Sequence, residues 1–214
     1  YEKNHQKFPE RVILGSENFP QQIGFRWPLV EKLPYVIGDF TWTCWDYLGE
    51  AGIGKAVYVT EDDPLIQKGS WSLMPPSGSP FPWRLANDAG IDITGHMLAQ
   101  GAYRSVVFGS KKTHLYSYHP DYFGKIEMMT MWGFPDVTKN WNFSAYENKD
   151  VELIVYTKAD EVELYVNGKL IHKVDIRKNS AYIYYGNCKT FCNYQIKSIL
   201  THELYEKNSY KVVE

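Results

Sequence analysis

The hydrophobic pattern of the first half of the chain alternates buried-strand runs with helical spacing. Residues 11–17 (Arg-Val-Ile-Leu-Gly-Ser-Glu) form an apolar run closed by glycine and serine, which is typical of a strand in a parallel sheet. Pro28 predicts a kink or a late start in the helix that follows, and Pro34 ends it. Residues 35–45 then predict a second strand. The helix itself is predicted from apolar residues that recur every three or four positions: Ile23, Trp27, Val30 and Leu33.

Two further segments complete this half. Residues 49–87 are rich in glycine and proline and predict a long irregular loop, of the kind that is usually functional or disordered. Residues 94–108 predict a helix, because apolar and aromatic side chains recur at helical spacing from Met97 to Val107. The order strand, helix, strand, loop, helix is a βα repetition, which predicts a parallel sheet or a barrel.

From about residue 110 the pattern changes to short strands joined by polar turns. The clearest feature is a hairpin over residues 161–174, in which apolar residues alternate with others and Asn167-Gly168 suits a two-residue type I′ turn. This succession predicts an antiparallel β-sandwich of immunoglobulin-like type. The change of pattern predicts two domains, residues 1–109 and residues 110–214. Further strands are predicted over residues 151–156, 181–185 and 194–200.

Composition and charge exclude several classes of partner. The chain has 214 residues, 44% of them hydrophobic, which suits one large globular domain or two small ones. The formal net charge is −2 and the longest basic runs are pairs, so no basic stripe exists to bind a nucleic-acid backbone. No apolar run approaches the ~20 residues that span a bilayer. The first residues, Tyr-Glu-Lys-Asn-His, do not form an export signal, so we expect any such signal to lie outside this sequence or not to exist.

The cysteines and histidines argue against disulfide and metal chemistry. Cys44, Cys188 and Cys192 make neither a disulfide framework nor a zinc-type pair of pairs, and buried free thiols are expected. The six histidines show no His-Glu-x-x-His arrangement, so neither a metal nor a cofactor is predicted. The 7 Trp, 17 Tyr and 10 Phe residues suit stacking on sugar rings, but aromatic residues are also favoured in ordinary strands. Composition alone therefore leaves carbohydrate binding open.

Four segments, in order, resemble glycoside hydrolase family 2 and most closely its β-galactosidases. Residues 11–17 and residues 35–50, which end in Trp-Thr-Cys-Trp-Asp-Tyr-Leu-Gly-Glu, look like the last two barrel strands of that family. Residues 82–95, from Pro-Trp-Arg to Gly-Ile-Asp-Ile-Thr-Gly, agree next. Trp141-Asn142 and residues 160–168 (Asp-Glu-Val-Glu-Leu-Tyr-Val-Asn-Gly) resemble the immunoglobulin-like domain that follows the barrel.

The resemblance implies an α/β region followed by an all-β region. Residues 1–109 would form the last two βα units of a (β/α)₈ catalytic barrel, and residues 110–214 an immunoglobulin-like β-sandwich. A whole barrel needs ~250 residues, so the first six units are absent from this sequence. The implied function is that of a fragment of a retaining exo-glycosidase that hydrolyses terminal β-galactosides. We expect the fragment alone to be inactive.

Two alternatives to this function stay open. A β-glucuronidase or β-mannosidase of the same family shares the architecture and differs in the sugar. A non-catalytic carbohydrate-binding or structural module would use Trp141 and the second domain as its functional part. The expected partners are a β-galactoside-type carbohydrate and the missing N-terminal portion of the same enzyme, and open strand edges also favour a homo-oligomer. The compartment is not readable from the residues; the periplasm or the exterior is favoured over the cytoplasm.

Glu17 is the candidate catalytic residue. Retaining glycosidases place two carboxyl groups ~5 to 5.5 Å apart, one to attack the anomeric carbon and one to protonate the leaving oxygen. Glu17 ends an apolar strand, where such barrels hold their chemistry, and the resemblance assigns it the role of nucleophile. The acid/base of the family follows an Asn, and no Asn-Glu dipeptide occurs in this sequence. The general acid is therefore expected upstream, and Asp39 does not replace it.

Four residues are candidates for substrate binding. Trp42 matches the tryptophan that forms a wall for the sugar in this family; its alternative role is that of a core residue inside the barrel. Trp42 and Trp45 would point to different sides of a regular strand, and Trp42 is the one expected to face the site. Asp46 and Glu50 either hydrogen-bond substrate hydroxyls or anchor the loop after the second strand. Trp83 either helps to close the pocket or has a structural role, in which its side chain fills the interior of the loop that contains it.

Overall fold

The computed structural model is a mixed helix and sheet structure with four small sheets. It describes residues 1–69, 73, 79–140, 142–146, 149–166, 168–175, 192–196 and 210–213, the last two ranges and Val174 by their backbone alone. Within these ranges no helix is long and apolar enough to cross a membrane. The same ranges contain no closed barrel, because the only parallel strands in them are one pair.

The described part of the chain contains four α-helices, eleven strands and two short 3₁₀ helices, Pro20–Gln22 and Pro120–Tyr122. The helices are α1 (Glu2–Lys7), α2 (Ile23–Lys32), α3 (Pro64–Lys68) and α4 (Ala99–Val107). The first six strands are β1 (Ile13–Asn18), β2 (Val36–Thr41), β3 (Ala56–Val59), β4 (His114–Tyr118), β5 (Ile126–Met129) and β6 (Val137–Thr138). The other five are β7 (Val151–Tyr156), β8 (Glu161–Val166), β9 (Lys169–Asp175), β10 (Cys192–Ile196) and β11 (Tyr210–Val213).

The predicted strand–helix–strand order at the start of the chain is confirmed. β1 and β2 pair in parallel, with Asn18 opposite Thr41, and α2 connects them. The helix begins at Ile23 and contains Pro28, so the predicted late start is wrong. The second strand ends at Thr41 instead of residue 45, because the backbone of Thr43 bonds to the segment around Asp88 instead of to β1.

Helix α4, in contrast, begins later than predicted, at Ala99 instead of residue 94. The Asp92 carboxylate accepts hydrogen bonds from the backbone N–H groups of Thr94 and His96, at 2.8 and 3.0 Å. These bonds hold residues 92–96 in a turn, because a side-chain acceptor offers the backbone an alternative to the helix. The predicted irregular loop over residues 49–87 contains two short elements, β3 and α3.

The second half contains the predicted hairpin and the first predicted strand. β7 spans residues 151–156 as predicted, and β8 pairs antiparallel with β9. A register shift between Leu164 and Tyr165 interrupts the hairpin, whereas Val162, Leu164 and Val166 are buried as the alternation predicts. The strand predicted over residues 194–200 starts two residues earlier, at Cys192. The strand predicted over residues 181–185 lies outside the described residues, and so do Cys188, Asn167 and Trp141.

Two antiparallel sheets account for these strands. One has the order β10-β7-β4-β6 and the other the order β11-β8-β9. That the two sheets form an immunoglobulin-like sandwich stays a prediction.

One hydrophobic core joins the two halves of the chain. Tyr103 and Val106 of α4 pack with Ile23 and with Ile154 and Tyr156 of β7, all nearly free of solvent exposure. β3 also pairs antiparallel with β5, across the predicted boundary near residue 109. The division into residues 1–109 and 110–214 remains a prediction, and the shared core fixes α4, with the loops before it, against the antiparallel sheet.

Candidate functional site

Glu17 lies at the carboxyl end of β1, with an exposed side chain. The next residue, Asn18, is buried and pairs with the end of β2. The carbonyl of Asn18 accepts a hydrogen bond from the backbone N–H of Trp42 at 3.1 Å. The structure therefore brings two residues predicted from the sequence, Glu17 and Trp42, to the same end of the parallel pair.

A buried polar cluster supports this end of β1. Asp39 of β2 accepts hydrogen bonds from the Tyr1 hydroxyl at 2.9 Å and from the Asn18 amide. Burial raises the pKa of Asp39. A side chain at Gly15 would overlap Asp39 and Asn18, which explains why a glycine precedes Ser16 and Glu17 in the strand. Asp39 thus holds Asn18 and, through it, the end of the strand.

Trp42 stands just past the end of β2 and is 41% exposed. Its indole Nε1–H donates a hydrogen bond to the Tyr47 hydroxyl at 3.1 Å. The Tyr47 hydroxyl in turn donates to Glu50 Oε2. Burial, and then the hydrogen bond to Glu50, raise the pKa of Tyr47 to about 12. The three side chains form a hydrogen-bonded row just past the end of β2.

Asp46 has the contacts of a loop anchor. Its side chain is 5% exposed, and its Oδ1 accepts hydrogen bonds from the backbone N–H groups of Tyr47 and Asn87, each at 3.0 Å. These bonds tie the loop after β2 to the segment that precedes α4. Glu50, in contrast, is exposed and faces Tyr47.

Asp88 is a buried carboxyl that the sequence analysis missed. Its side chain is fully buried, and neither carboxyl oxygen has a hydrogen-bond partner among the described residues. Burial raises the pKa of Asp88 to about 7, and the nearby charges of Asp46, Glu50 and Glu17 add to the rise. The available signal was weak: Asp88 stands in a run of small apolar residues, with Ala86 and Ala89 both fully buried. Four carboxyl groups thus lie close enough to interact at this end of the molecule.

Two more of the tryptophans considered from the sequence, Trp45 and Trp83, lie in the loops. Trp45 is 53% exposed and forms an isolated bridge with Ile91, so it does not lie on a regular strand with Trp42. Trp83 is half-buried, and its ring lies against Gly52, where a β-carbon would come within 3.1 Å of it. Since Gly52 N–H also donates to the Leu85 carbonyl at 2.8 Å, Trp83 packs between two segments of the loop.

A cavity of about 400 Å³ lies beside β2. Phe40, Thr41 and Cys44 line it from the strand side, and Asp88 and Arg104 provide its charged groups. Burial lowers the pKa of Arg104. Cys44 is exposed here, so the expectation of buried thiols is wrong for this cysteine. Helix α4 contributes Arg104 to the lining, so the cavity lies between the end of β2 and α4. Separately, β2 has a strand partner on one edge, β1, among the described residues.

The arrangement offers carboxylate and aromatic chemistry. Across the described ranges no group of three or more His, Cys, Asp or Glu side chains could hold a metal ion. An exposed carboxylate beside a half-exposed indole can face a sugar ring, since aromatic faces suit the apolar faces of sugars while carboxylates accept from hydroxyls or attack carbon.

Comparison with known proteins relates the chain to glycosidases. A family model described as a domain of unknown function, DUF4982, matches residues 148–189. No curated protein matches. A crystal structure of a glycosyl hydrolase family 2 member from Bacteroides cellulosilyticus is similar at 29% identity with a TM-score of 0.68, over 92% of this chain and 23% of that one. A second family 2 member, from Bacteroides cellulosilyticus DSM 14838, shares the fold at 24% identity and a TM-score of 0.58, over 92% of this chain and 20% of that one.

The chain therefore spans less than a quarter of the length of these two structures. Neither description names a sugar. At this coarse level, the structural matches relate the chain to members of glycoside hydrolase family 2.

Proposed function

We propose that this chain is a portion of a retaining exo-glycosidase that hydrolyses terminal β-galactosides, with Glu17 as the nucleophile. The longer protein is called the parent enzyme below. The observation that carries the proposal is the position of Glu17: exposed, at the carboxyl end of a parallel strand, and next in sequence to Asn18, whose carbonyl bonds to the backbone of Trp42. In (β/α)₈ enzymes the catalytic residues come from the carboxyl ends of the strands.

In the proposed reaction Glu17 attacks the anomeric carbon and forms a galactosyl ester while the leaving oxygen receives a proton. Water then hydrolyses the ester with net retention of configuration. Trp42 forms a wall of the sugar site. Asp46, held by two backbone N–H groups, keeps the loop in place.

The proton donor comes from the upstream portion of the parent enzyme. No Asn-Glu pair is present in this sequence, and the carboxyl groups near Glu17 are engaged or buried: Asp46 anchors the loop, Asp88 is fully buried and Glu50 accepts from Tyr47. The upstream portion is also the partner that we propose for the open edge of β2. A parallel strand placed there would pair with β2 and extend the parallel sheet.

The test of the nucleophile is Glu17→Gln in the parent enzyme. An amide cannot form the ester, so kcat on an aryl β-galactoside should fall by several orders of magnitude while the circular dichroism spectrum and Tm stay unchanged. Glu10→Gln, an exposed acid just before β1, is the matched control and should keep full activity. Retention of more than about a tenth of the activity by Glu17→Gln would sink the assignment.

A second variant distinguishes a nucleophile from a general acid. In Glu17→Gly, azide should enter from the vacated face and give the α-galactosyl azide, with inversion. Replacement of a general acid would instead leave the glycosyl-enzyme intact and yield the β-azide. The β-product from this variant would contradict the proposed role.

The sugar is tested with a panel of nitrophenyl glycosides on the parent enzyme. Preference for the β-galactoside supports the proposal, whereas a higher kcat/KM on the β-glucuronide or β-mannoside would keep Glu17 and change the substrate. Binding without hydrolysis of any member would favour a non-catalytic module.

A further inference from the structure

Among the described residues, Tyr47 makes two directed contacts with the Trp42 ring. It accepts the indole N–H at 3.1 Å, and the two rings meet edge to face with centroids 6.2 Å apart and planes at 89°. The edge-to-face arrangement is one of the favourable geometries of aromatic pairs. The contacts with Tyr47 therefore orient the Trp42 ring, which stands just past the end of its own strand at Thr41.

The loop is shaped to bring Glu50 to Tyr47. Gly49 has a φ of 105° and Glu50 a φ of 41°, a left-handed conformation that non-glycine residues adopt only when the surrounding structure holds them. This turn lets the Glu50 carboxylate accept a hydrogen bond from the hydroxyl of Tyr47, three residues earlier in the chain. Since the pKa of Tyr47 is raised to about 12 by burial and by this bond, the hydroxyl stays protonated and donates to Glu50 while it accepts from Trp42.

We propose that Tyr47 is a positioning residue that fixes the plane of the Trp42 ring for stacking on the substrate sugar, and that Glu50 acts through Tyr47. The inference rests on the proposed function, in which Trp42 forms a wall of the sugar site. A stacked wall contacts the sugar in the ground state and in the transition state alike. Loss of its orientation therefore raises KM more than it lowers kcat.

The first experiment is Tyr47→Phe in the parent enzyme, which removes the hydroxyl and keeps the ring. KM for an aryl β-galactoside should rise about fivefold to tenfold, the factor that one hydrogen bond of ordinary net strength supplies, with kcat within about twofold. The matched control is Tyr146→Phe, since the Tyr146 hydroxyl also donates to a carboxylate, Asp121, at 2.7 Å. The control should leave both constants unchanged, and an equal change in the two variants would overturn the proposal.

The second experiment asks whether Tyr47 acts through Trp42. In a Trp42→Phe background the N–H donor is gone, so Tyr47→Phe should add less than a twofold rise in KM. Effects that multiply in full in the double variant would show that Tyr47 acts independently of Trp42 and would overturn the proposal.

Glu50 is tested by two substitutions. Glu50→Gln keeps an oxygen acceptor for Tyr47 and should leave KM within about twofold of the wild type, whereas Glu50→Ala should raise KM as Tyr47→Phe does. An equal rise in both would mean that the charge of Glu50 binds the sugar directly, against the assigned role.

A third readout needs no turnover. In the parent enzyme labelled with 5-fluorotryptophan, the ¹⁹F signal of Trp42 is identified by its loss in Trp42→Phe. That signal should shift and broaden in Tyr47→Phe and stay in place in Tyr146→Phe; an unchanged signal in Tyr47→Phe would refute the positioning role. Because this result does not depend on hydrolysis, it separates a failure of this inference from a failure of the proposed function.

Discussion

The parallel pair β1–β2 and the antiparallel pair β4–β7 are similar in length and opposite in burial. Every residue of β4 is buried, and so are all but one of β7. On the parallel pair, in contrast, Leu14, Ile37 and Phe40 are 44%, 67% and 60% exposed. Parallel sheets are found almost only with both faces covered. The antiparallel region thus stabilises the molecule, whereas the parallel region carries the candidate chemistry and offers apolar surface to a partner.

The largest expected effect follows directly from this contrast. The purified 214-residue chain should hydrolyse an aryl β-galactoside more than about 10⁴-fold more slowly than the parent enzyme, because it lacks the general acid and most of the substrate pocket. Activity should appear when the upstream portion is added, as a strand from that portion covers the edge of β2. Turnover by the isolated chain within about a thousandfold of the parent would break the comparison, since the parallel pair would then be sufficient by itself.

The next effect compares one isoleucine in each region. Ile154, in the centre of β7, is fully buried, and Ile154→Ala should lower the free energy of unfolding of the isolated chain by about 2 to 5 kcal/mol. Ile37 of β2 is 67% exposed, so Ile37→Ala should cost less than about 0.5 kcal/mol. Urea unfolding measures both. Ile37→Ala should, however, weaken association with the upstream portion, and equal losses of stability in the two variants would contradict the contrast.

The same contrast explains how much the sequence could predict. Alternation located β8, helical spacing located α2, and a continuous apolar run located β7, because the residues that each element buries stand in its own sequence. The pattern misplaced the end of β2, because that end depends on a backbone hydrogen bond between Thr43 and the distant Asp88. It misplaced the start of α4, because the Asp92 side chain bonds to the backbone and holds a turn before the helix.

The candidate site shows the same limit. Glu17 and Trp42 could be named from motifs, and the role of Asp46 could only be left as two alternatives until its bond to Asn87 was seen. Asp88 and Tyr47 were not predicted as site residues, because a linear pattern does not record which side chains meet across a loop. Residues whose role depends on non-local contacts carry no periodic signal.

The third prediction compares two carboxyl groups with raised pKa values, the fully buried Asp88 and the half-buried Glu127. Burial raises the pKa of Asp88 to about 7, and it does the same for Glu127, which accepts a hydrogen bond from Tyr58 at 2.5 Å. A carboxyl with a raised pKa binds more protons folded than unfolded, so the stability it confers is present at pH 4 and is lost as the pH rises to 7. Asp88→Asn and Glu127→Gln remove this loss. As the pH rises from 4 to 8, the Tm of each variant should therefore rise by several °C relative to that of the wild type. This corresponds to roughly 1 to 2 kcal/mol in the free energy of unfolding.

Calorimetry at four pH values measures this gain, and Asp63→Asn, at a surface N-cap, serves as the control that should not change the slope. Tm curves that run parallel for wild type and Asp88→Asn would show that this carboxyl has a partner at neutral pH. The Glu127→Gln result then tells whether the hydrogen bond from Tyr58 lowers the cost of burial in the antiparallel region.

The smallest expected effect concerns the turn between β8 and β9. Gly168 has a φ of 78°, in the left-handed region where a β-branched residue is strained. Gly168→Val should therefore lower the free energy of unfolding by somewhat more than about 1 kcal/mol, which urea unfolding can resolve. Lys169→Val, one residue further along at the start of β9, places the same side chain in extended backbone and should cost less. If the two variants lose equal stability, the left-handed turn is not what limits the hairpin, and the antiparallel region tolerates more local change than its buried strands suggest.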